Sequence, residues 1–246
     1  CMEGERRMKY YIGIDLGGTN VRTLLVDENG KTYSEVKDAT EREKGPDFVC
    51  SKIIRQIESL DCSICGGIAN IEGIGIGVPG PVDTVHGVMI MATNLPGFEN
   101  YPICEKLSSR FNLPVFIDND ANVAGLAEAL LGAGKGKATC YYVTISTGIG
   151  GAFIVNGQVV SGGRGHAGEI GNIIVKNNGY KFGGLNPGAV EGEASGTAIT
   201  RKGKEILGED KVAHAGDVFR LADEGDVKAQ GIVAVSYTHL TLPTNR

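Results

Sequence analysis

The chain has 246 residues, 41% of them hydrophobic, which is enough for one large or two modest domains with a real core. Lys and Arg number 24 against 29 Asp and Glu, a net charge of −5 without basic blocks, which excludes the usual electrostatic basis of nucleic-acid binding. Glycine is in excess at 38 residues and has no G-X-Y period. This excludes collagen and predicts tight turns with close approach of the backbone to a ligand.

The cysteines and the uncharged segments bear on the compartment. Six cysteines are too sparse for a disulfide scaffold, and no signal peptide is recognisable, so we expect a reducing, cytoplasmic setting. Cys62-Ser-Ile-Cys65 is a lone C-x-x-C pair and is interpreted as two ordinary thiols. Residues 138–163 carry no charge, but polar residues and glycines interrupt them, which favours a buried hairpin over a membrane span.

The first part of the chain predicts the element order β-β-β-α-β, unlike the regular alternation of a Rossmann unit. Alternating apolar residues and turn signals define the strands, and an apolar stripe at helical spacing defines the helix. The predicted elements are strands at Tyr10–Leu16, 19–26 and 31–36, a helix opening at Asp47, and a strand at Ile74–Val78.

The later part of the chain repeats a pattern of strand, glycine turn and strand. It occurs first around Gly17-Gly18 and again around Gly148 to Gly151, so we expect two similar α/β domains facing one cleft. A hairpin turn is expected at Asn156-Gly157. The other predicted elements are helices at 105–111 and 121–131, strands at 115–117, 139–146 and 152–155, and a glycine turn at 147–151.

The two glycine turns can each offer backbone N–H groups to phosphate oxygens, because no side chain blocks the approach. Asp15 directly precedes the first turn and is placed to hold a hydrated Mg²⁺. Either turn alone is equally well interpreted as a tight hairpin. Together with Asp15 they favour nucleotide binding, and the missing Walker A pattern excludes a P-loop protein.

Three acidic residues lie where chemistry is expected. Asp120 follows a strand and opens a helix, a position suited to a carboxylate that accepts the proton of an attacking hydroxyl in phosphoryl transfer. The alternative is a helix N-cap, a role for which Asp118 and Asn119 compete. Glu169 and Glu191 lie in glycine-flanked turns, where carboxylates are good acceptors for sugar hydroxyls.

Five motifs follow one another between about Tyr10 and Arg201: Asp15-Leu-Gly-Gly-Thr19, Asp118-Asn-Asp-Ala-Asn122, Ser146-Thr-Gly-Ile-Gly-Gly151, Ala167-Gly-Glu-Ile-Gly171 and Glu191-Gly-Glu-Ala-Ser-Gly196. In order and spacing they resemble the successive motifs of ROK-family sugar kinases. The resemblance implies an α/β protein with an actin-like, hexokinase-type ATPase fold, its two domains enclosing sugar and ATP in a cleft. We expect the domains at 1–118 and 119–235, the second incomplete, followed by a tail at 236–246.

The resemblance also implies roles for individual residues. Asp120 would be the general base that activates the sugar hydroxyl. The phosphates of ATP, with Mg²⁺, would be bound by Asp15, Gly17, Gly18, Thr19, Thr147, Gly148, Gly150 and Gly196. The sugar would be held by Gly80, Asn94, Asn119, Asp120, Glu169, Asn172 and Glu191.

Three departures from the family pattern modify these expectations. Many members carry a histidine and a cysteine-rich zinc loop where this chain has Asn172 and residues 182–189 without cysteine, so we expect no structural zinc and a neutral sugar ligand at Asn172. The family pattern stops near Val235, and residues 236–246 show no helical period, which predicts a truncated chain with a non-native tail. Only 14 residues precede Asp15, too few for the helix-turn-helix of repressor relatives.

The expected activity is transfer of the γ-phosphoryl group of ATP to a hexose, with glucose giving glucose 6-phosphate as the first choice. Alternatives are a kinase for fructose, N-acetylmannosamine or N-acetylglucosamine, or a sugar-binding protein whose truncation removes catalysis. Sugar and ATP are the expected partners, without nucleic acid or membrane. The resemblance adds a homodimer for the full-length protein.

Overall fold

The computed structural model describes residues 7–92, 94–163, 165 and 167–240. The described elements form three sheets and a set of helices. In chain order they are β1 (Tyr10–Leu16), β2 (Asn20–Asp27), β3 (Thr32–Ala39), α1 (Pro46–Ser59), β4 (Ile74–Val78), β5 (Val82–Asp83), β6 (Val88–Met89), α2 (Ile103–Phe111), β7 (Val115–Asn119), α3 (Asp120–Leu130), β8 (Thr139–Ile145), β9 (Ile149–Val155), β10 (Gln158–Val159), α4 (Val190–Ala194), α5 (Gly196–Leu207), α6 (Ala215–Asp223) and α7 (Val227–Leu240).

The first sheet has the order β3-β2-β1-β4-β7, with antiparallel pairing from β3 to β1 and parallel pairing from β1 to β7. The predicted β-β-β-α-β order is confirmed. Ile12, Ile14 and Leu16 alternate along β1 and are buried in the largest core cluster. Helix α1 contributes Val49 and Ile53 to the same cluster, because its apolar stripe faces the sheet.

The parallel part of this sheet positions the candidate site. In the register of β1, β4 and β7, Asp15 lies opposite Gly77, and Gly77 lies opposite Asp118. The carboxyl ends of parallel strands meet at one edge of a sheet, so these two aspartates are delivered to the same edge. That is where ligands usually bind in α/β proteins.

The sheet of the later part has the order β10-β9-β8, and α3 packs against β8 and β9. The predicted hairpin turn is confirmed, since Asn156 and Gly157 both have positive φ, at 50° and 73°. The predicted turn at 147–151 is too long. Gly150 and Gly151 already pair with β8 and belong to β9, because their extended backbone continues the ladder.

Helices α4 to α7 follow, and a core cluster that includes Ile199, Val218 and Ile232 joins α5, α6 and α7. The lack of a helical period from residue 236 onward was misleading, because α7 continues through Leu240. This helix packs against α4, α5 and α6 and buries Ser236, so it needs no amphipathic stripe. Residues 241–246 lie outside the described residues.

The described cysteines, Cys62 and Cys65 among them, are free thiols. Among the described residues, no helix has both the length and the apolar character that crossing a bilayer requires. In the same part of the chain, no three His, Cys, Asp or Glu side chains gather in a way that could hold a metal ion by themselves.

The packing of α3 on the second sheet can be tested at Gly125. A Cβ added there would lie 2.6 Å from the Cβ of Ala152 and 2.9 Å from that of Tyr142, both on β-strands. We therefore expect Gly125→Ala to lower the free energy of unfolding by about 2 kcal/mol, the cost of overpacking a core.

Gly231→Ala is the matched control, because Gly231 is also helical but has open space around it. It should gain up to about 1 kcal/mol from helix propensity. Urea unfolding of both variants measures the difference. Equal stability of the two variants would contradict the packing described here.

Candidate active site

The first glycine turn joins β1 to β2, and Thr40 fixes it with two hydrogen bonds. The hydroxyl of Thr40 donates to the carbonyl of Gly17 at 2.6 Å, and its N–H donates to the carbonyl of Thr19 at 2.8 Å. A Cβ added at Gly18 would lie 2.8 Å from the carbonyl oxygen of Asn94. Gly18 is therefore needed for the close approach of the Asn94 backbone, and the structure brings these two predicted site residues together.

Asp120 begins α3, and the N-cap is Asn119, whose Oδ1 accepts the Ala121 N–H at 2.9 Å. The capping role thus belongs to Asn119. Oδ1 of Asp120 accepts the same N–H at 2.8 Å, which fixes the orientation of its carboxyl group. Asp120 and Asp15 line one cavity of about 410 Å³, together with Thr144 of β8.

The environment of Asp120 favours a proton acceptor. Its side chain keeps contact with solvent, but the walls of the cavity crowd it, and this burial raises the pKa of Asp120 above the usual value of 3.8. The nearby negative charge of Asp15 raises the pKa of Asp120 further. A carboxylate with a raised pKa is a stronger base at neutral pH.

A second cavity, of about 420 Å³, lies beside the ends of β4 and β7. Among the predicted sugar ligands, Asn119 and Glu169 line it. Asn119 also donates through Nδ2 to the carbonyl of Gly80 at 3.1 Å, in the Pro79-Gly80-Pro81 turn. The structure thus brings Gly80, Asn119 and Glu169 together around a space lined by polar groups.

Several residues of this cavity were not predicted as site residues. Asp118 accepts the side-chain amide of Asn122 at its Oδ1, at 2.9 Å, and both belong to the motif that contains Asp120. Their position in that motif could have identified both as site residues from the sequence. The short β5–β6 hairpin gave only a weak signal, the Pro-Gly-Pro turn before it. The unpredicted polar lining residues are Asp83, Thr84, Asp118, Asn122 and Ser161.

The second glycine turn is held by Glu191. Oε2 of Glu191 accepts the Ile149 N–H at 2.7 Å, and a Cβ added at Gly148 would lie 2.6 Å from the same oxygen. On the other side, the hydroxyl of Thr197 donates to the carbonyl of Thr147 at 2.8 Å. The first turn of α5 therefore docks directly onto the predicted phosphate-binding turn.

Two further predicted residues are close to this turn. The Gly196 N–H, at the start of α5, donates to the carbonyl of Ser146 at 2.8 Å. A Cβ added at Gly150 would lie 3.4 Å from the Cβ of Ala121, so β9 passes close to the start of α3. The second glycine turn thus lies next to the helix that begins with Asp120.

Five predicted sugar ligands do not line the second cavity: Gly80, Asn94, Asp120, Asn172 and Glu191. Asn172 uses its Oδ1 to accept the Asn186 N–H at 2.7 Å, which ties together the loop that lacks cysteine. Glu191 accepts the Ile149 N–H with one carboxylate oxygen, Oε2. Their contacts with sugar stay predictions.

The donor set suits a hard divalent cation bound together with a nucleotide. Asp15 and Asp120 present carboxylate oxygens to one cavity, and Mg²⁺ is commonly bound by one or two carboxylates with phosphate oxygens and water. When bound there, Mg²⁺ would neutralise charge on the phosphates, and Asp15 is the residue placed to hold it through water.

Comparison with known proteins agrees with this geometry. The sequence profile of the ROK family matches residues 11–242, which extends past Val235. A glucokinase from Thermotoga maritima is 35% identical over 211 residues, 86% of this chain and 64% of that protein. An N-acetylmannosamine kinase from Yersinia pestis is 30% identical over 222 residues, 90% of this chain and 72% of that protein. The crystal structure of a ROK hexokinase from Thermus thermophilus has a TM-score of 0.81 and 33% identity, over 94% of this chain and 74% of that chain.

The chain spans between 64% and 74% of the length of these three proteins. The five-stranded sheet, the second glycine hairpin and the helices around the cleft are those of the actin-like, hexokinase-type fold, as the resemblance implied. Because the family profile and the fold both extend over most of its residues, the chain belongs to the ROK family. In sequence and fold it is similar to that family's ATP-dependent sugar kinases.

Proposed function

We propose that this chain transfers the γ-phosphoryl group of ATP to a hexose, with glucose as the preferred acceptor and Asp120 as the general base. The observation that carries the proposal is the position of Asp120. It lies at the start of α3, directly after Asn119, which lines the second cavity, and it shares its own cavity with Asp15 at the end of β1. A sugar hydroxyl and a phosphate chain can meet at this point.

Each part of the cleft has a distinct role in this proposal. Asn119 exchanges hydrogen bonds with the sugar hydroxyls and the carboxylate of Glu169 accepts from them, while the carbonyl of Gly80 fixes the orientation of Asn119. The N–H groups of the turns at Gly17-Gly18 and Thr147-Gly148 bind the phosphates of ATP. Alignment of the two substrates then supplies most of the rate enhancement.

The reaction requires one proton transfer by the protein. As the hydroxyl oxygen of the sugar, expected to be the one on C6, bonds to the γ-phosphorus, its proton passes to the carboxylate of Asp120. The bond between the γ-phosphorus and the bridging oxygen breaks, and ADP leaves with that electron pair. Asp120 then returns its proton to solvent, for which its accessible side chain is suited.

The preferred sugar is tested by a panel of hexoses at equal concentration. We expect kcat/KM to be highest for glucose, as the glucokinase relative supports. A second candidate is an N-acyl hexosamine, which the N-acetylmannosamine kinase relative supports. A higher kcat/KM for N-acetylmannosamine, N-acetylglucosamine or fructose would overturn the preference for glucose. Sugar binding without turnover on any hexose would overturn the kinase activity and favour a sugar-binding protein.

The raised pKa of Asp120 predicts a pH dependence. The base acts only when ionised, so kcat should fall as the pH decreases through the pKa of Asp120. Since burial and Asp15 raise that pKa, the acidic limb should lie above 3.8, the usual value for an aspartate. A pH profile of kcat with saturating substrates measures it. A limb at or below the usual aspartate value would contradict the assignment of Asp120 as the base.

Assembly is a separate part of the proposal. The resemblance implies a homodimer for the full-length protein; we propose the same assembly for this chain, and light scattering of the purified chain measures its mass. A monomer at all concentrations tested would contradict it for this chain.

A further inference from the structure

Arg42 lies against the first glycine turn and is not part of the predicted site. It begins a single turn of 3₁₀ helix, Arg42–Lys44, shortly after β3. Its Nη1 donates to the carbonyl of Asn94 at 2.9 Å, and a Cβ added at Gly18 would lie 2.8 Å from the same nitrogen. The guanidinium therefore touches both the turn proposed to bind phosphate and the segment that carries Asn94.

The backbone before Arg42 is held in an uncommon conformation. Glu41 has a φ of 54°, in the left-handed region that side chains other than glycine rarely adopt. Its carboxylate is ion-paired with Lys44 and with Lys52, and these two partners lower the pKa of Glu41 to about 2. Lys52 is buried and also donates to the carbonyl of Ala39 at 2.6 Å. Backbone strain of this kind is kept where the surroundings fix it, often at functional sites.

Arg42 also differs from the neighbouring cations in its lack of a carboxylate partner among the described residues. Arg22, Lys44 and Lys52 each have a carboxylate partner, whereas no carboxylate within the described ranges lies within 4.0 Å of the Arg42 guanidinium. Its side chain is exposed, and among the described residues the Asn94 carbonyl occupies one of its five N–H donors. A planar guanidinium with free donors suits a phosphate group.

We infer that Arg42 binds the terminal phosphate of the nucleotide at the first glycine turn. This inference rests on the proposed function. Arg42 supplies the positive charge that offsets the charge of the transferring phosphoryl group, where Gly18 leaves room for close approach. Its bond to Asn94 sets the position of this charge relative to the sugar side of the cleft. Arg42 is thus a catalytic residue for the reaction proposed above.

The test compares nucleotides that differ only in their phosphates. Binding of the ATP analogue AMPPNP, of ADP and of AMP, each with Mg²⁺, is measured by calorimetry for the wild-type chain, Arg42→Ala, Arg42→Lys and Arg220→Ala. Arg220 is an exposed arginine of α6 paired with Glu224 and serves as the matched control. We expect Arg42→Ala to weaken AMPPNP at least about tenfold, the effect of losing a charge-assisted hydrogen bond. Lysine should restore part of the affinity.

A selective loss is the expected signature. AMP binding and the affinity for glucose should stay unchanged in Arg42→Ala, and Arg220→Ala should resemble wild type in every measurement. Wild-type affinity of Arg42→Ala for AMPPNP would overturn the inference. So would a loss of glucose affinity equal to that for AMPPNP, because it would assign Arg42 to support of the Asn94 segment.

The same experiment separates this inference from the proposed function. A wild-type chain that phosphorylates no hexose, but binds AMPPNP in a manner that depends on Arg42, would refute the kinase activity and leave the inference standing. A wild-type chain that does not bind AMPPNP at all would overturn the inference as well.

Discussion

Asp120→Asn should lower kcat by about 10²- to 10⁴-fold while the affinity for glucose stays close to that of the wild-type chain. The amide has the size of the carboxyl group, and its oxygen can still accept the Ala121 N–H that orients Asp120. It cannot take up the proton of the sugar hydroxyl. Steady-state kinetics with saturating ATP give kcat, and calorimetry gives the glucose affinity.

A matched substitution distinguishes loss of the base from loss of charge in general. Asp223 is an exposed aspartate of α6 that lines neither of the two site cavities, and Asp223→Asn should behave as wild type. Near-normal turnover in Asp120→Asn would refute its role as the base. Loss of glucose affinity in Asp120→Asn, with kcat unchanged, would make Asp120 a sugar ligand only.

The second large effect is expected at Glu191, which contacts the second glycine turn and which the resemblance also implies as a sugar ligand. One of its oxygens accepts the Ile149 N–H in the second glycine turn, and we expect the other to accept from a sugar hydroxyl. Glu191→Ala removes both interactions, so we expect the KM values for ATP and for glucose each to rise by about tenfold or more. Glu191→Gln keeps an oxygen for the Ile149 N–H, so its KM for ATP should stay near that of wild type.

The difference in the KM for ATP between Glu191→Ala and Glu191→Gln tests this prediction. The control is Glu224→Ala, which removes an exposed glutamate directly after α6 and should change neither KM. If Glu191→Gln raises the KM for ATP as much as Glu191→Ala does, the hydrogen bond to Ile149 is not what positions the turn. If Glu191→Ala changes the KM for glucose alone, Glu191 acts on the sugar only.

Local signals were sufficient to predict the elements that carry Asp15 and Asp120. Strand β1 alternates buried Ile12 and Ile14 with residues of the opposite face, so its course and its delivery of Asp15 follow from a period of two. The start of α3 follows from the cluster of Asp and Asn at its first turn, although three candidates competed for the cap. In the structure Asn119 takes that role, which leaves Asp120 at the first helical position.

Contacts between distant parts of the chain were beyond the sequence argument. Glu191 reaches Ile149 across 42 residues, and Arg42 reaches Asn94 across 52 residues. No local pattern encodes either contact, because each depends on how separately formed elements pack. The end of α7 was missed for a related reason, since a helix surrounded by other helices loses the stripe that marks a surface helix.

The most direct test of the proposed kinase is ³¹P NMR of a mixture of ATP, Mg²⁺, glucose and the purified chain. We expect the resonance of glucose 6-phosphate to grow as that of the γ-phosphate declines, with one ADP formed for each sugar phosphate, and only when glucose is present. Release of inorganic phosphate without a sugar phosphate, or no consumption of ATP while glucose is bound, would contradict the proposed kinase activity.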